Sequence, residues 1–383
     1  MQPKKIFIEA QRLFRSQKHG MDVVALELLQ RMSHEQPGYD MEVLVKADED
    51  ICLQGTNSMK VTMLKNSFYP LWEQWLLPRF TAANQGTLLH CTGNTAPLWG
   101  STPLLVTIHD LIFLEDNYLL KKDGGSLYQR FGNTYRSLVV PRIARKARFI
   151  ITVSEYQRQL IMQRLQVPAE KIAVVYNGAD ERFYVPVTAV QKSDVQKKYQ
   201  LPDAPFILFL ANTEPRKNTD GVIKAFAQFC AKNPTLNHQL VIKGIQDDLL
   251  VKKINDNGAA AYAHRIKRIG YIGYHELPVI YQMASMLWFP SFSEGFGLPI
   301  VEAMAGGTPV ITSNCSVMPE IAGDAAMYIN PHEPQELADA AASIANHHEL
   351  ANILREKGKQ RAQQFTWEKS VAQLLSIYQQ LAA

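Results

Sequence analysis

Short apolar runs alternate along this chain with stretches whose apolar residues recur at helical spacing. Apolar runs of four to six residues bounded by turn residues read as strands buried on both faces of a parallel sheet. In the first half this pattern predicts strands at Lys5–Glu9, Met41–Val45, Leu88–Cys91, Leu104–Ile108, Phe149–Val153 and Ile172–Val175, with helices at Asp22–Arg31 and Tyr128–Lys146. Residues 185–204 break the alternation. They are polar, carry Lys192, Asp194, Lys197 and Lys198, and close on Leu201-Pro202-Asp203-Ala204-Pro205. The pattern then restarts with strands at Phe206–Leu210, Leu240–Lys243, Ile266–Ile269, Met286–Phe289, Pro309–Thr312 and Ala326–Ile329. A helix at Thr219–Cys230, capped by Asn218 or Thr219, and a tail helix from Thr366 to Leu381 complete the second half. The expected division is a first domain over 1–180, a linker region over 181–204, a second domain over 205–365 and a closing helix over 366–383. Two successive α/β units with a cleft between them is the architecture this predicts, with ligands outside the carboxyl ends of the strands.

Composition narrows the picture little. A chain of 383 residues, 46% hydrophobic and 20% charged, is an ordinary globular protein long enough for two domains. The net charge of +4 does not suggest nucleic acid as a partner. Its distribution says more, because residues 121–148 hold eight basic side chains and one acidic one, Asp123. The four cysteines (Cys52, Cys91, Cys230, Cys315) show no pair or metal spacing, so a reduced, cytoplasmic protein is expected. Ile6-Phe7-Ile8 is too short for a signal segment, and no window reaches the roughly 18 apolar residues of a membrane span. Any membrane contact is expected to be peripheral.

The most informative stretch runs from Ser291 to Gly307. It leaves a predicted strand, turns through Glu294-Gly295-Phe296-Gly297, enters a helix at Leu298-Pro299 and stops at Gly306-Gly307. Proline is tolerated there because a first-turn N–H has no helical partner. Backbone N–H groups at such a helix start can hold phosphate, and Glu294 and Glu302 add two acceptors for sugar hydroxyls. A dinucleotide fingerprint fails, since Ile300 stands at the third glycine position. The competing reading is a plain strand-to-helix turn. Glu214-Pro215-Arg216-Lys217-Asn218 places two cations beside another helix start; Arg216 can bind phosphate bidentately and Lys217 as a point charge. In isolation such a pair would more often be a solvated loop. His109 ends the strand Leu104–Ile108, where it can hydrogen-bond a sugar or serve as a structural histidine. Asp48-Glu49-Asp50 reads as a solvated acidic loop rather than a metal site. The stretch 121–148 (Arg130, Arg136, Arg142, Arg145, Lys146 and Arg148 among others) reads as a charged helix face or as a patch for anionic lipid or a diphosphate-linked acceptor. The aromatic run Phe68 to Leu77 is expected to pack in the core, with an exposed docking face as the alternative.

In this order, the pieces resemble the retaining glycosyltransferases of family 4, also called group 1, with a likeness to the mannosyltransferase subgroup. The resemblance covers nearly the whole chain. It rests on Phe289-Pro290-Ser291 through Ala305, Gly307-Thr308-Pro309-Val310, Pro319-Glu320, Val106 to Leu111, Thr152-Val153-Ser154, Tyr176 to Asp180, Glu214 to Asn218 and Phe365 to Glu368. It implies an α/β GT-B fold, two Rossmann-like domains with parallel sheets facing a central cleft, the first binding the acceptor and the second the nucleotide sugar. It further implies that Glu294 bonds the donor sugar, Glu302 the ribose, and the N–H groups of Phe296, Gly297 and Leu298 the sugar and phosphates. By the same resemblance Lys217 neutralises the leaving diphosphate and His109 lies beside the donor sugar. Ile272, within Gly270–Gly273, meets the base, Gly20 approaches the diphosphate, and the tail helix crosses back onto the first domain. Many members carry an Arg where this chain has Ala211; here Arg216 adjoins Lys217 instead.

The implied activity is retaining transfer of a sugar from a nucleoside-diphosphate sugar, GDP-mannose by preference, to a hydroxyl of a glycan or lipid-linked acceptor in surface polysaccharide synthesis. No metal or other cofactor is expected; the nucleotide sugar is a co-substrate. The place of action is the cytoplasm, including the inner face of the cytoplasmic membrane. A sugar-nucleotide epimerase of the same architecture and a non-catalytic nucleotide-sugar-binding protein are the alternatives. The sequence leaves the oligomeric state open.

Overall fold

The computed structural model describes residues 4–65, 68–114, 127–211 and 213–382, with the backbone alone for 127–130. The chain forms two compact units, one from Met1–Gly178 with Trp367–Ala383 and the other from Ala179–Thr366. Each is built on one wholly parallel sheet.

The first sheet contains β1 (Lys5–Glu9), β2 (Asp40–Lys46), β3 (Met59–Leu64), β4 (Leu88–Cys91), β5 (Leu104–Ile108), β6 (Phe149–Thr152) and β7 (Ile172–Val174), in the order β3-β2-β1-β4-β5-β6-β7. The strand order reverses between β1 and β4, which pair through Ile6–Leu88 to Glu9–Cys91. Strand alternation sends side chains to two cores. Ile6 and Ile8 pack with Ala25, Leu29 and Met32 of the helix Gly20–Met32 and with Val371, Leu374 and Tyr378 of the tail helix Trp367–Ala382. Phe7 faces the other way, into a core with Trp72, Leu77, Val140, Ile143 and Ala144.

The second sheet contains β8 (Phe206–Leu210), β9 (Gln239–Lys243), β10 (Ile266–Ile269), β11 (Met286–Phe289), β12 (Val310–Ser313) and β13 (Ala326–Ile329), in the order β10-β9-β8-β11-β12-β13. Its reversal lies between β8 and β11. The helix Thr219–Lys232 is capped by the Asn218 side chain, which accepts from the Gly221 N–H at 3.2 Å.

The structure departs from the sequence reading in several places. The stretch 181–204 is not a bare linker. It belongs to the second unit and folds a 3-10 turn at Glu181–Phe183 and a helix at Ala189–Tyr199, whose Thr188 and Gln191 form a capping box. That helix buries only Val195, so its sequence has almost no apolar face to read. The aromatic run divides between core and solvent. Trp72 and Leu77 are fully buried, while Phe68, Leu71 and Trp75 are exposed. A π-type stretch, Trp72–Leu76, sits between the α-helical turns Tyr69–Leu71 and Leu77–Ala83. Asp48, Glu49 and Asp50 are solvent-exposed, and Asp50 pairs with Lys18. Of the basic stretch, Lys121, Lys122 and Asp123 lie outside the described residues, as does the Arg130 side chain. Arg142, Arg145, Lys146 and Arg148 are exposed.

Candidate functional site

At the carboxyl edge of the second sheet, neighbouring strands deliver the predicted residues in spatial sequence. Gly270–Gly273 follow β10, Arg216 and Lys217 follow β8, and Glu294 follows β11, while Lys243, which the sequence reading did not single out, ends β9. The point where the strand order reverses, between β8 and β11, is where open α/β sheets hold their ligands. The 3-10 turn Pro215–Lys217 is tied to the next loop by the Phe292 N–H, which donates to the Arg216 carbonyl at 2.8 Å.

The two loops meet at Glu294. Lys217 donates its Nζ to one carboxylate oxygen at 2.6 Å, and Arg216 donates Nη1 to the other at 2.6 Å. Arg216 also bonds Glu214 at 2.5 Å and the Ser293 carbonyl at 3.2 Å. Burial by itself would raise the Glu294 pKa, but Arg216 and Lys217 overcome it and hold the carboxyl at about 2. Lys217 moves downward, because burial outweighs its attraction to Glu294 and Arg216 adds repulsion. Its ammonium also stands 4.9 Å from the Phe289 ring centre. The backbone N–H of Glu294 donates to the Ser316 hydroxyl at 3.2 Å, fixing the loop from the β12 side.

The helix Leu298–Ala305 starts immediately after. Gly297 caps it at φ +96, and a Cβ there would also meet Ile300 at 3.3 Å, so glycine is required at this corner. Phe296 is buried edge-on against Phe365, with ring centres 5.7 Å apart. Leu298 opens the helix, and its first-turn N–H groups have no helical partner. Glu302, four residues further on, is buried and accepts from the Tyr281 hydroxyl at 2.9 Å. Ile272 is buried beside the exposed Tyr271.

His109 and Gly20 belong to the first unit. His109 follows β5, is buried, and donates Nε2–H to the Thr92 carbonyl at 2.8 Å, while its backbone N–H donates to the Asn94 side chain at 2.6 Å. Burial lowers its pKa against the opposing pulls of the Thr92 carbonyl, Asp110 and Asp22, so the ring is neutral at pH 7 with Nδ1 as its acceptor. Gly20 is the first residue of the helix Gly20–Met32, and a Cβ there would meet only open space. The structure thus gathers Glu294, Lys217, Arg216 and the Phe296–Glu302 segment in one unit, and His109 and Gly20 in the other.

Two residues that fix these side chains escape the sequence reading: Tyr281, the partner of Glu302, lies inside an apolar helix, and Ser316, the partner of the Glu294 backbone, takes φ +55 in a loop.

Two family profiles match the chain, "Glycosyltransferase Family 4" over residues 18–183 and "Glycosyl transferases group 1" over 191–361. An O-antigen chain mannosyltransferase B of Escherichia coli is 31% identical over 238 residues, 61% of this chain and 61% of that protein. The chain therefore matches less than two thirds of that relative's length. A D-inositol 3-phosphate glycosyltransferase of Corynebacterium glutamicum is 26% identical over 73% of this chain and 67% of that protein. A sucrose-phosphate synthase from Thermosynechococcus elongatus has the same fold, with a TM-score of 0.76, 21% identity and 99% of each chain covered.

Proposed function

This chain belongs to the group 1 glycosyltransferases of family 4 and has the GT-B fold, and we propose that it transfers a hexosyl group from a nucleoside-diphosphate sugar to an acceptor hydroxyl with retention at the anomeric carbon. The observation that carries the reading is the pairing of Glu294 with both Lys217 and Arg216 at the strand-order reversal of the second sheet. A donor diphosphate brings acceptor oxygens for the same two cations. Glu294, exchanged from them, then accepts from sugar hydroxyls, and the helix start at Leu298 supplies further N–H donors. Positive charge held in place before the reaction stabilises the leaving diphosphate as its bond to the sugar breaks, without a metal ion. The acceptor attacks from the departing side, and the leaving phosphate oxygen takes its proton. Neutral His109, with Nδ1 as acceptor, serves the sugar by hydrogen bonding.

GDP-mannose is the preferred donor, in keeping with the mannosyltransferase among the relatives. The acceptor is a glycan or lipid-linked sugar of a growing surface polysaccharide. Incubating the full chain with GDP-mannose, UDP-glucose and ADP-glucose tests the reading. One donor is expected to raise the Tm and to be slowly hydrolysed, faster once an acceptor is added. Binding without turnover would favour a nucleotide-sugar-binding protein, and interconversion of the sugar an epimerase.

Action at the cytoplasmic face of an anionic membrane fits the surface of the first unit. No helix among the described residues is long and apolar enough to span a membrane. Exposed Trp75 and Trp99 lie edge to face at 6.2 Å with the Arg79 guanidinium 3.1 Å over Trp75, and Phe68 and Leu71 are exposed on the same segment as Trp75. Indole rings beside a cation suit the headgroup region of a bilayer. The chain is expected to float with vesicles containing phosphatidylglycerol at low salt, and Trp75→Ser with Trp99→Ser to weaken this severalfold. No flotation at low salt would remove the membrane from the proposal.

A further inference from the structure

His109 is held by the turn that leaves β4, Thr92-Gly93-Asn94. Two bonds tie this turn to its neighbours without the Asn94 side chain. The Thr92 hydroxyl donates to the Glu9 carbonyl of β1 at 2.8 Å, and the Asn94 backbone N–H donates to the Thr107 carbonyl of β5 at 2.9 Å. Two more bonds join the turn to His109. The ring Nε2–H donates to the Thr92 carbonyl at 2.8 Å, and the His109 backbone N–H donates to Asn94 Oδ1 at 2.6 Å. With Nε2 occupied, Nδ1 has no partner among the described residues.

Asn94 is unusual in two respects. It is fully buried at φ +63, a left-handed conformation that asparagine tolerates and most residues do not. Its Nδ2 is also buried, without a hydrogen-bond partner among the described residues. Turning the amide over would not help, since it would set two donors against each other at the His109 N–H. A buried N–H2 group without an acceptor is costly, so a position that keeps one calls for an explanation. Glycine would suit the same backbone without the orphaned group. What glycine lacks is the Oδ1 acceptor, whose partner is His109. We propose that Asn94 is a positioning residue, its Oδ1 fixing the His109 backbone at the exit of β5 so that Nε2 stays on Thr92 and Nδ1 is presented to the donor sugar. The proposal rests on the glycosyltransferase reading above, which gives His109 its place at the sugar. His109 is pinned at two points on one turn, and losing one lets the residue pivot about the other. A displacement near 1 Å at a reacting centre is enough to cost about 10²-fold in rate.

The test compares Asn94→Gly, which keeps the backbone conformation and loses the acceptor, with Asn94→Asp, which keeps both. By NMR of the full chain carrying isotope-labelled histidine, the wild type should show a protected Nε2–H of His109, assigned by its absence in His109→Ala. Asn94→Asp should keep that signal, and in Asn94→Gly it should vanish or exchange about tenfold faster. With a nucleoside-diphosphate sugar that the wild type turns over, Asn94→Gly should lower kcat about tenfold or more while donor KM stays within about threefold. In a His109→Ala background the same change should alter kcat by less than about twofold, because Asn94 acts through His109. Retained binding of a nucleoside diphosphate shows that each variant is folded; should Asn94→Gly fail this check, the signal in Asn94→Asp decides. An unchanged signal and kcat in Asn94→Gly, loss of the signal in folded Asn94→Asp, or a full additive loss in the His109→Ala background would each overturn the proposal. A wild type that turns over no nucleoside-diphosphate sugar would instead overturn the glycosyltransferase reading beneath it, while the NMR comparison still decides whether Asn94 holds His109.

Discussion

A carboxylate as buried as Glu294 would ordinarily take up a proton; two cations adjacent in sequence keep it ionised. That pairing gives two testable consequences. Glu294→Gln keeps the shape and loses the charge, so kcat should fall by about 10²–10³, the scale of losing one preorganised electrostatic contact, while donor affinity changes much less. An effect confined to donor KM would contradict a role in the reaction. The same side chain sets an acid limit. Its folded pKa of about 2 lies below the ordinary 4.5, so its contribution to stability is fully present above about pH 4.5 and is lost as pH falls toward 2. The stability gap between wild type and Glu294→Gln in urea should therefore shrink below pH 4.5. At this scale the sequence was informative wherever a residue type and its place agreed. Glu294 and Glu302 stand beside a glycine-marked helix start, and Lys217 beside the Asn218-capped start of another. Arg216 could be named as a cation, but its attachment to Glu294 and Glu214 needed coordinates.

Elements were legible in proportion to how fully they are buried. β1, β4, β5, β8 and β11 read as apolar runs because both faces of each are covered. β3 escaped, since this edge strand alternates partly exposed residues (Met59 to Leu64) and lacks an apolar run. The helix Glu155–Leu165 escaped too, as its sequence is largely polar and it buries only Gln157, Ile161 and Leu165. The aromatic segment 68–77 misled in the other direction: helical spacing was real, but half its large side chains face solvent. The tail helix was readable and is anchored to the first unit by a buried link, with the Tyr378 hydroxyl 2.6 Å from His90 Nδ1 and Thr107 2.8 Å from Nε2. Removing that ring should be expensive. Tyr378→Ala is expected to cost about 3–5 kcal/mol, by analogy with other aromatic truncations, and Tyr378→Phe about 1–3 kcal/mol from the unpartnered imidazole. Denaturant unfolding checks both, and a loss below about 1 kcal/mol for Tyr378→Ala would show that the helix is not part of the cooperative core.

Across the whole molecule one arrangement occurs twice. Each unit is a parallel sheet whose strand order reverses once, at β1/β4 and at β8/β11, and each reversal carries a buried carboxylate at the strand ends. The two carboxylates differ in charge environment. Glu294 is held by two cations suited to a diphosphate, whereas among the described residues Glu9 forms no ion pair. Duplicate α/β architecture was visible in the strand pattern; the asymmetry was not, because it depends on which side chains meet. The most direct test is the anomeric configuration of the product formed from an α-configured nucleoside-diphosphate sugar, read from the one-bond carbon–proton coupling at the anomeric centre by NMR. The account predicts an α-linked product that accumulates with the free nucleoside diphosphate, and a β-linked product would contradict it.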